Sequence, residues 1–221
     1  LYTAYLAPGS ISAPIPRQGQ AAQSTQAIIT DYIKNGFIHI VPKGLDHILF
    51  VLGLFFYAAR WRPLLGQVTL FTLAHSLTLF LAGTGYIVVS PTVIEPMIAA
   101  SIIYIAYENI RRQRMNAIRI LVIFLFGLLH GLGFASVLSD IMIGDSMLNA
   151  GGFGSGPFFF FLFSFNIGGE LGQLAVLAPA FLLFGVIANN ALWYRKLIAL
   201  PASYLIGATG TWMLFTRVLS G

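Results

Sequence analysis

Apolar and polar positions along this chain alternate in long blocks, not in the short periods of a soluble domain. Six apolar stretches run at about 44–60, 64–83, 92–110, 117–138, 157–187 and 197–218. A helix needs roughly 20 residues to cross the hydrocarbon of a bilayer. The first stretch is short alone, but Phe37–Val41 extends it on the N-terminal side, with Pro42 predicting a kink there. The fifth is long enough to tilt, or to bend at Pro179, and Pro96 and Pro201 are further bending points in the third and sixth. The pattern therefore predicts an all-α polytopic membrane helix bundle with six transmembrane helices.

Before these blocks the pattern changes. Residues 1–24 are small and polar, with Pro8, Pro14 and Pro16, and read as an extended, water-exposed arm. Residues 25–35 then place Ile28, Ile29, Tyr32 and Ile33 on one face. Thr25 is the expected N-cap and Gly36 the expected stop. A short amphipathic helix at the membrane surface fits this. The expected division is an external N-terminal arm with that helix over 1–36 and a six-helix transmembrane domain over 37–221.

Composition agrees. The chain of 221 residues is 57% hydrophobic and 9% charged, with mean hydropathy +0.84, where soluble domains carry about 25% charged residues. It contains no cysteine, which excludes disulfides, thiolate metal sites and cysteine catalysis. The net charge of +5 gains meaning only from its placement. Arg60 and Arg62 follow the first apolar stretch. Arg111, Arg112, Arg114 and Arg119 follow the third, and Arg195 and Lys196 the fifth. The other two loops hold no Lys or Arg. By the positive-inside rule the basic loops are cytoplasmic and both termini are outside. The expected location is a bacterial inner membrane, multi-pass, with the N-terminus outside after signal-peptide removal. Charge used for orientation gives no reason to expect nucleic acid as a partner.

The chemistry lies in polar residues that this pattern buries. Ionisable groups are costly in hydrocarbon and are rarely left there without a role. His47, His75, His130 and Glu170 each fall inside an apolar stretch. At about 1.5 Å of rise per residue, each lies roughly 16–20 Å from the face where its stretch begins or ends. All four are then near the middle of the bilayer, on different helices, which predicts a shared site. Imidazole with carboxylate suits nickel, zinc, iron(II) or cobalt. Asp46 is next to His47, so the two point about 100° apart on a helix, and Asp46 is assigned to orient another imidazole or to serve at the entry. Near the outer surface, His39 is either an entry ligand or an ordinary interfacial histidine. Glu108 reads as a cytoplasmic-end ion pair with Arg111 or Arg112, or as an exit ligand. Glu95 reads as interfacial. The Gly-rich loop 139–156, with Asp140 and Asp145, is a linker or, alternatively, a metal-gathering vestibule.

The halves of the chain also echo one another. GLDH at 44–47 matches GLLH at 127–130, and FTLAHSLTL at 71–79 resembles FNIGGELGQL at 165–174. Because the helices concerned run in opposite directions, this would be a 3+3 inverted repeat with a site at the interface between the halves.

Taken together, HIVPKGLDHILF, FTLAHSLTL, SIIYIAYEN at 101–109, FGLLHGLGFA and FNIGGELGQL resemble the HupE/UreJ membrane proteins. They cover most of residues 37–175. The family is associated with hydrogenase and urease gene clusters and is described as six-helix nickel permeases or accessory proteins. The resemblance implies a divalent-metal role carried by His39, Asp46, His47, Glu108 and His130. The spacing from His39 to Asp46 is one residue longer than in the nickel-associated branch, which points to metal more than to nickel itself. The leading expectation is a permease for a divalent transition metal, with entry past His39 and Asp46, a site of His47, His75, His130 and Glu170, and exit past Glu108. The alternatives are an accessory subunit bound to other membrane proteins or to copies of itself, and an intramembrane zinc hydrolase using Ser76 or Glu170. The chain carries no nucleophile elbow and no HExxH, so a non-enzyme is favoured and no catalytic residue is assigned.

Overall fold

The computed structural model describes residues 25–57, 60–84, 86–87, 89–111, 117–144, 156–188 and 192–220. The expected arm 1–24, Arg112, Arg114, Asp145 and most of the loop 139–156 lie outside the described residues. Within them every regular element is helical. In order these are α1 (Thr25–Ile40), α2 (Leu45–Tyr57), α3 (Trp61–Gly83), α4 (Pro91–Arg111), α5 (Ala117–Gly144), α6 (Gly156–Ala188), α7 (Leu192–Tyr194) and α8 (Leu200–Ser220). A π-helical stretch, Arg195–Ala199, joins α7 to α8. It ends just before Pro201, which has no N–H to give a regular helical bond. Among the described residues five helices are long and apolar enough to cross a membrane, and α1 with α2, bent by 69° at their junction, together meet the same measure as one candidate span.

The boundaries follow local chemistry. Pro91 opens α4, where a missing N–H costs nothing, and the carbonyl of Ser90 receives the N–H groups of Val93 (3.0 Å) and Ile94 (3.2 Å). Pro96 and Pro179 stay inside continuous helices. Two expected boundaries moved. Helix α5 continues to Gly144, so the predicted loop begins later than residue 139. Helix α1 does not stop at Gly36. It runs on to Ile40 because Gly36 is a packing position, and a Cβ there would collide with the carbonyl of Phe165 on α6.

The real break is at 41–44. Pro42 cannot donate to continue α1. The N–H of Gly44 bonds back to the Ile40 carbonyl (3.1 Å), and that of Ile48 bonds to Gly44 (3.0 Å). A Cβ on Gly44 would meet the carbonyl of His39, so glycine lets the start of α2 turn tightly over the end of α1.

Helix pairing is quasi-symmetric. Helix α1 packs chiefly on α6, and α3 on α5. In the first pair Gly168 meets Ile33 and Phe37, and Gly172 meets Phe37 and Ile40, so the two helices are parallel. In the second, Gly127 meets Phe71 and Ala74 and Gly131 meets His75 and Thr78, again in parallel. The remaining pair, α4 and α8, is antiparallel, with Gly207 against Ala106 and Gly210 against Ile102 and Ile103. Small residues let these backbones approach closely, the usual basis of helix association in lipid.

The apolar interior has three parts. One gathers Phe50, Leu54, Phe55, Leu64, Val68 and Phe71 with Ile105 and Ile123. A second holds Tyr32, Leu79, Phe134, Phe161 and Phe165. The third lies between α4 and α8, around Ala99, Ile102, Ala106, Ile206 and Met213. Large side chains that face outward, such as Phe163, Leu182, Leu205, Trp212 and Phe215, are apolar as well, as a lipid-facing surface requires. The histidines lie between the first two parts.

Candidate metal site

The bend at 41–44 builds the site. It folds the end of α1 onto the start of α2, so the His39 and His47 rings lie 4.7 Å apart, centre to centre. Helix α3 brings His75 to 6.1 Å from His39 and 5.6 Å from His47. Helix α5 brings His130 to 5.0 Å from His47. All four histidines of the chain thus converge from α1, α2, α3 and α5. His47, His75 and His130 are buried and His39 is partly so.

Aromatic rings box the cluster in. Phe134 stands 3.8 Å and Phe165 5.6 Å from the His39 ring. On the other side Phe71 lies 5.9 Å from His47 and 5.0 Å from His130. These apolar walls restrain ring orientation and offer no polar group of their own on those sides.

The imidazole nitrogens are unspent. His39 Nε2, His47 Nε2, His75 Nδ1 and His130 Nε2 are all buried without a hydrogen-bond partner. A buried polar group left unpaired normally costs about 1–3 kcal/mol. Four such groups at one place mark a site shaped for something that accepts lone pairs. The ligand atoms of His39, His47 and His75 lie within 4.8 Å of one another. Nitrogens sharing one tetrahedral cation bound at about 2.0–2.1 Å would sit roughly 3.4 Å apart, so modest closure would bring all three onto one ion. The residues present therefore fit a late first-row divalent cation. His130 is prepared differently. Its Nδ1 lies 2.8 Å from the carbonyl of Phe126. Donation there by Nδ1–H leaves the lone pair on Nε2, facing inward.

A narrow cavity adjoins the trio, lined also by Thr72, Phe165, Asn166, Gly169 and Gln173. Its free space is about 10 Å³, about one water-sized sphere. Thr72 donates to Gln173 Oε1 at 3.1 Å across the crossing of α3 and α6. One turn away Thr69 donates to Glu170 Oε1 at 3.3 Å. Glu170 is thus placed on that crossing, beside the cavity wall and apart from the trio.

The other carboxylates named from the sequence lie at the helix ends. Asp46 takes two hydrogen bonds from Arg217 Nη2, at 2.8 and 3.1 Å, while Arg217 Nη1 reaches the Glu95 carbonyl at 3.1 Å. Asp46 and His47 do diverge as helix geometry requires, and Asp46 ties the start of α2 to the ends of α8 and α4. Glu108 sits at the opposite end of α4. Of the two arginines expected as its partner, Arg112 lies outside the described residues and Arg111 turns elsewhere. Arg111 Nε donates to the Tyr107 hydroxyl (2.8 Å), while Glu108 pairs with the fully buried Arg119. Arg119 stacks 3.6 Å over the Tyr57 ring and donates to Gln67 at 3.4 Å. Asn109 next door donates to the Gly53 carbonyl (2.8 Å).

The match to a protein-family model, described as HupE / UreJ protein, extends over residues 16–217. The chain belongs to the HupE/UreJ family. Membership covers nearly the whole chain, including all four histidines, and it makes this a membrane protein of a metal-related family. No curated protein and no solved structure matches the chain.

Three site features were not read from the sequence. His39, eight residues before His47, is expected apart from it near the outer surface, and its place beside the His47 ring is not legible from that spacing. Pro42 and Gly44 predict a kink, and the structure has one, but the sequence did not show that this 69° bend would set the His39 ring 4.7 Å from that of His47. Asn166 and Gln173 carried no signal beyond being amides in an apolar run.

Proposed function

We propose that this HupE/UreJ protein is a permease for a divalent transition-metal cation, which is its cargo and rests on His39, His47 and His75. The supporting observation is the set of buried ring nitrogens, on three helices, that have no other partner. Imidazole nitrogen favours nickel, cobalt, zinc or iron(II) over magnesium or calcium, and the family's link to hydrogenase and urease clusters makes nickel the first cation to try. No carboxylate belongs to the trio, so a bound cation keeps its charge in a low-dielectric setting. That favours weak, exchangeable occupancy suited to passage. The cavity beside Thr72, Asn166 and Gln173 supplies polar neighbours for a partly hydrated ion, and Glu170 stands on its approach. The chain has no nucleotide-binding motif, so the driving force would be a membrane potential or proton gradient. The basic loops favour an inner-membrane protein with both termini outside. The hydrolase reading has less support. Ser76 is committed to the Thr72 carbonyl (2.6 Å) and Glu170 to Thr69.

The test is elemental analysis of detergent-purified protein equilibrated with nickel, cobalt, zinc, iron and manganese, followed by uptake into proteoliposomes. About one exchangeable cation per chain, lost in His47→Ala, together with protein-dependent uptake, supports the permease. Tight retention without uptake would favour a fixed metal centre, and no retention with no uptake would favour an accessory subunit.

A further inference from the structure

The two halves of the molecule repeat one another in a register different from the one the sequence suggested. In space the counterpart of Gly127-Leu128-Leu129-His130 is Gly36-Phe37-Ile38-His39, not the GLDH at 44–47. Gly36 on α1 abuts the carbonyl of Phe165 on α6, and Gly127 on α5 abuts the carbonyl of Phe71 on α3. Three residues on, His39 approaches Phe165 (5.6 Å) and His130 approaches Phe71 (5.0 Å). Helices α1 and α5 are thus equivalent, as are α3 and α6, and the antiparallel α4 and α8 face each other across the relation. His39 and His130 are symmetry mates.

His47 has no mate, and it stands between them. Its ring is 4.7 Å from His39 and 5.0 Å from His130. Its Nε2 has no partner, nor does Nε2 of either neighbour. His130 is nevertheless outside the set whose ligand atoms lie within 4.8 Å of one another.

We infer that His47 is a shared ligand that passes the cation from His39, in the first half, to His130, in the second. The inference rests on the permease reading. In the arrangement described, the cation is held by His39, His47 and His75. A shift of α1 and α6 relative to α3 and α5, the packed pairs that the symmetry relates, opens the contact to His39 and closes the one to His130. His47 stays bound throughout, so the cation is never stripped of all its imidazoles in a medium that would penalise a bare charge. No bond other than metal–nitrogen forms or breaks, and no proton transfer is needed, because the Phe126 carbonyl holds His130 in the tautomer with a free Nε2.

The relay separates resting affinity from turnover. X-ray absorption on the nickel- or zinc-loaded protein should report three imidazole ligands in wild type and in His130→Ala. Equilibrium affinity of His130→Ala should stay within about threefold of wild type, while proteoliposome uptake falls at least about tenfold. His39→Ala should lose both. His130→Gln, which keeps a polar side chain of similar size, repeats the measurement should the alanine variant fail to fold. Loss of affinity in a monodisperse His130 variant equal to that in His39→Ala would overturn the relay in favour of one four-histidine site. Wild-type uptake in a His130 variant would overturn it too. Absence of any cation from the wild type would instead defeat the permease reading itself.

Discussion

Two of the polar clusters buried among the described residues are built in opposite ways. At one end of α4, Glu108 pairs with Arg119, which also donates to Gln67 and lies over the Tyr57 ring, while Asn109 donates to the Gly53 carbonyl and keeps only its Oδ1 unpaired. At the bend between α1 and α2, four imidazoles meet, and each keeps a ring nitrogen unpaired. Both clusters are expensive to bury. The first recovers most of the expense within the protein, through an ion pair and its hydrogen bonds, and so acts in assembly, tying α4 to α2, α3 and α5. The second leaves it unrecovered, which is the mark of a place that waits for a ligand.

The sharpest way to break the contrast is to unpair the closed cluster. Arg119→Met removes the cation and leaves Glu108 buried alone, a change that typically costs about 3–5 kcal/mol. For a chain of this size that corresponds to a fall of roughly 10 °C in the thermal midpoint, read by a melt in detergent. Metal bound per folded chain should not change. If stability holds and metal is lost, Glu108 belongs to the metal path and the division between the clusters is wrong.

His47→Ala is the converse experiment. It removes an unpaired nitrogen and so takes little from the apo protein beyond packing, but cation affinity should drop at least about 100-fold, since even outer-shell changes at metal sites reach that range. Titration with nickel or zinc, beside a melt without metal, separates the two effects. A variant that melts far lower than wild type while binding normally would turn the histidines into a structural cluster.

A smaller effect is expected from Gly127→Val, which forces α5 away from Phe71 and Ala74. Overpacking of this kind costs about 1–3 kcal/mol, and it should lower transport more than binding, because His130 moves and the trio does not.

What the sequence revealed and what it hid divide along the same line. The spans were legible because the bilayer fixes their length, and the convergence of His47, His75 and His130 is what a common level from helix rise leads one to expect. The partners were not legible. Arg119, placed among the basic residues of a loop, is the third residue of α5 and points back into the bundle. Arg217 drew no notice in the last turn of the final helix. Ion pairs between helices far apart in sequence depend on rotation about each helix axis, and hydropathy is blind to that. The nearness of His39 to His47 was hidden for a local reason, since eight residues separate them and only the bend at 41–44 brings their rings together.

The smallest effect sharpens the comparison at its margin. Asp46 adjoins His47 in sequence, and its carboxylate is held by Arg217 with about a fifth of each side chain exposed. Ion pairs of that kind contribute about 0–1 kcal/mol. Asp46→Asn should therefore lower stability by no more than about 1 kcal/mol and change cation affinity by less than about threefold. A much larger loss of affinity, with stability intact, would bring Asp46 into the histidine cluster as its missing counter-charge. The four imidazoles would then form a site closed by a carboxylate, and the weak, exchangeable binding argued from their neutrality would no longer follow.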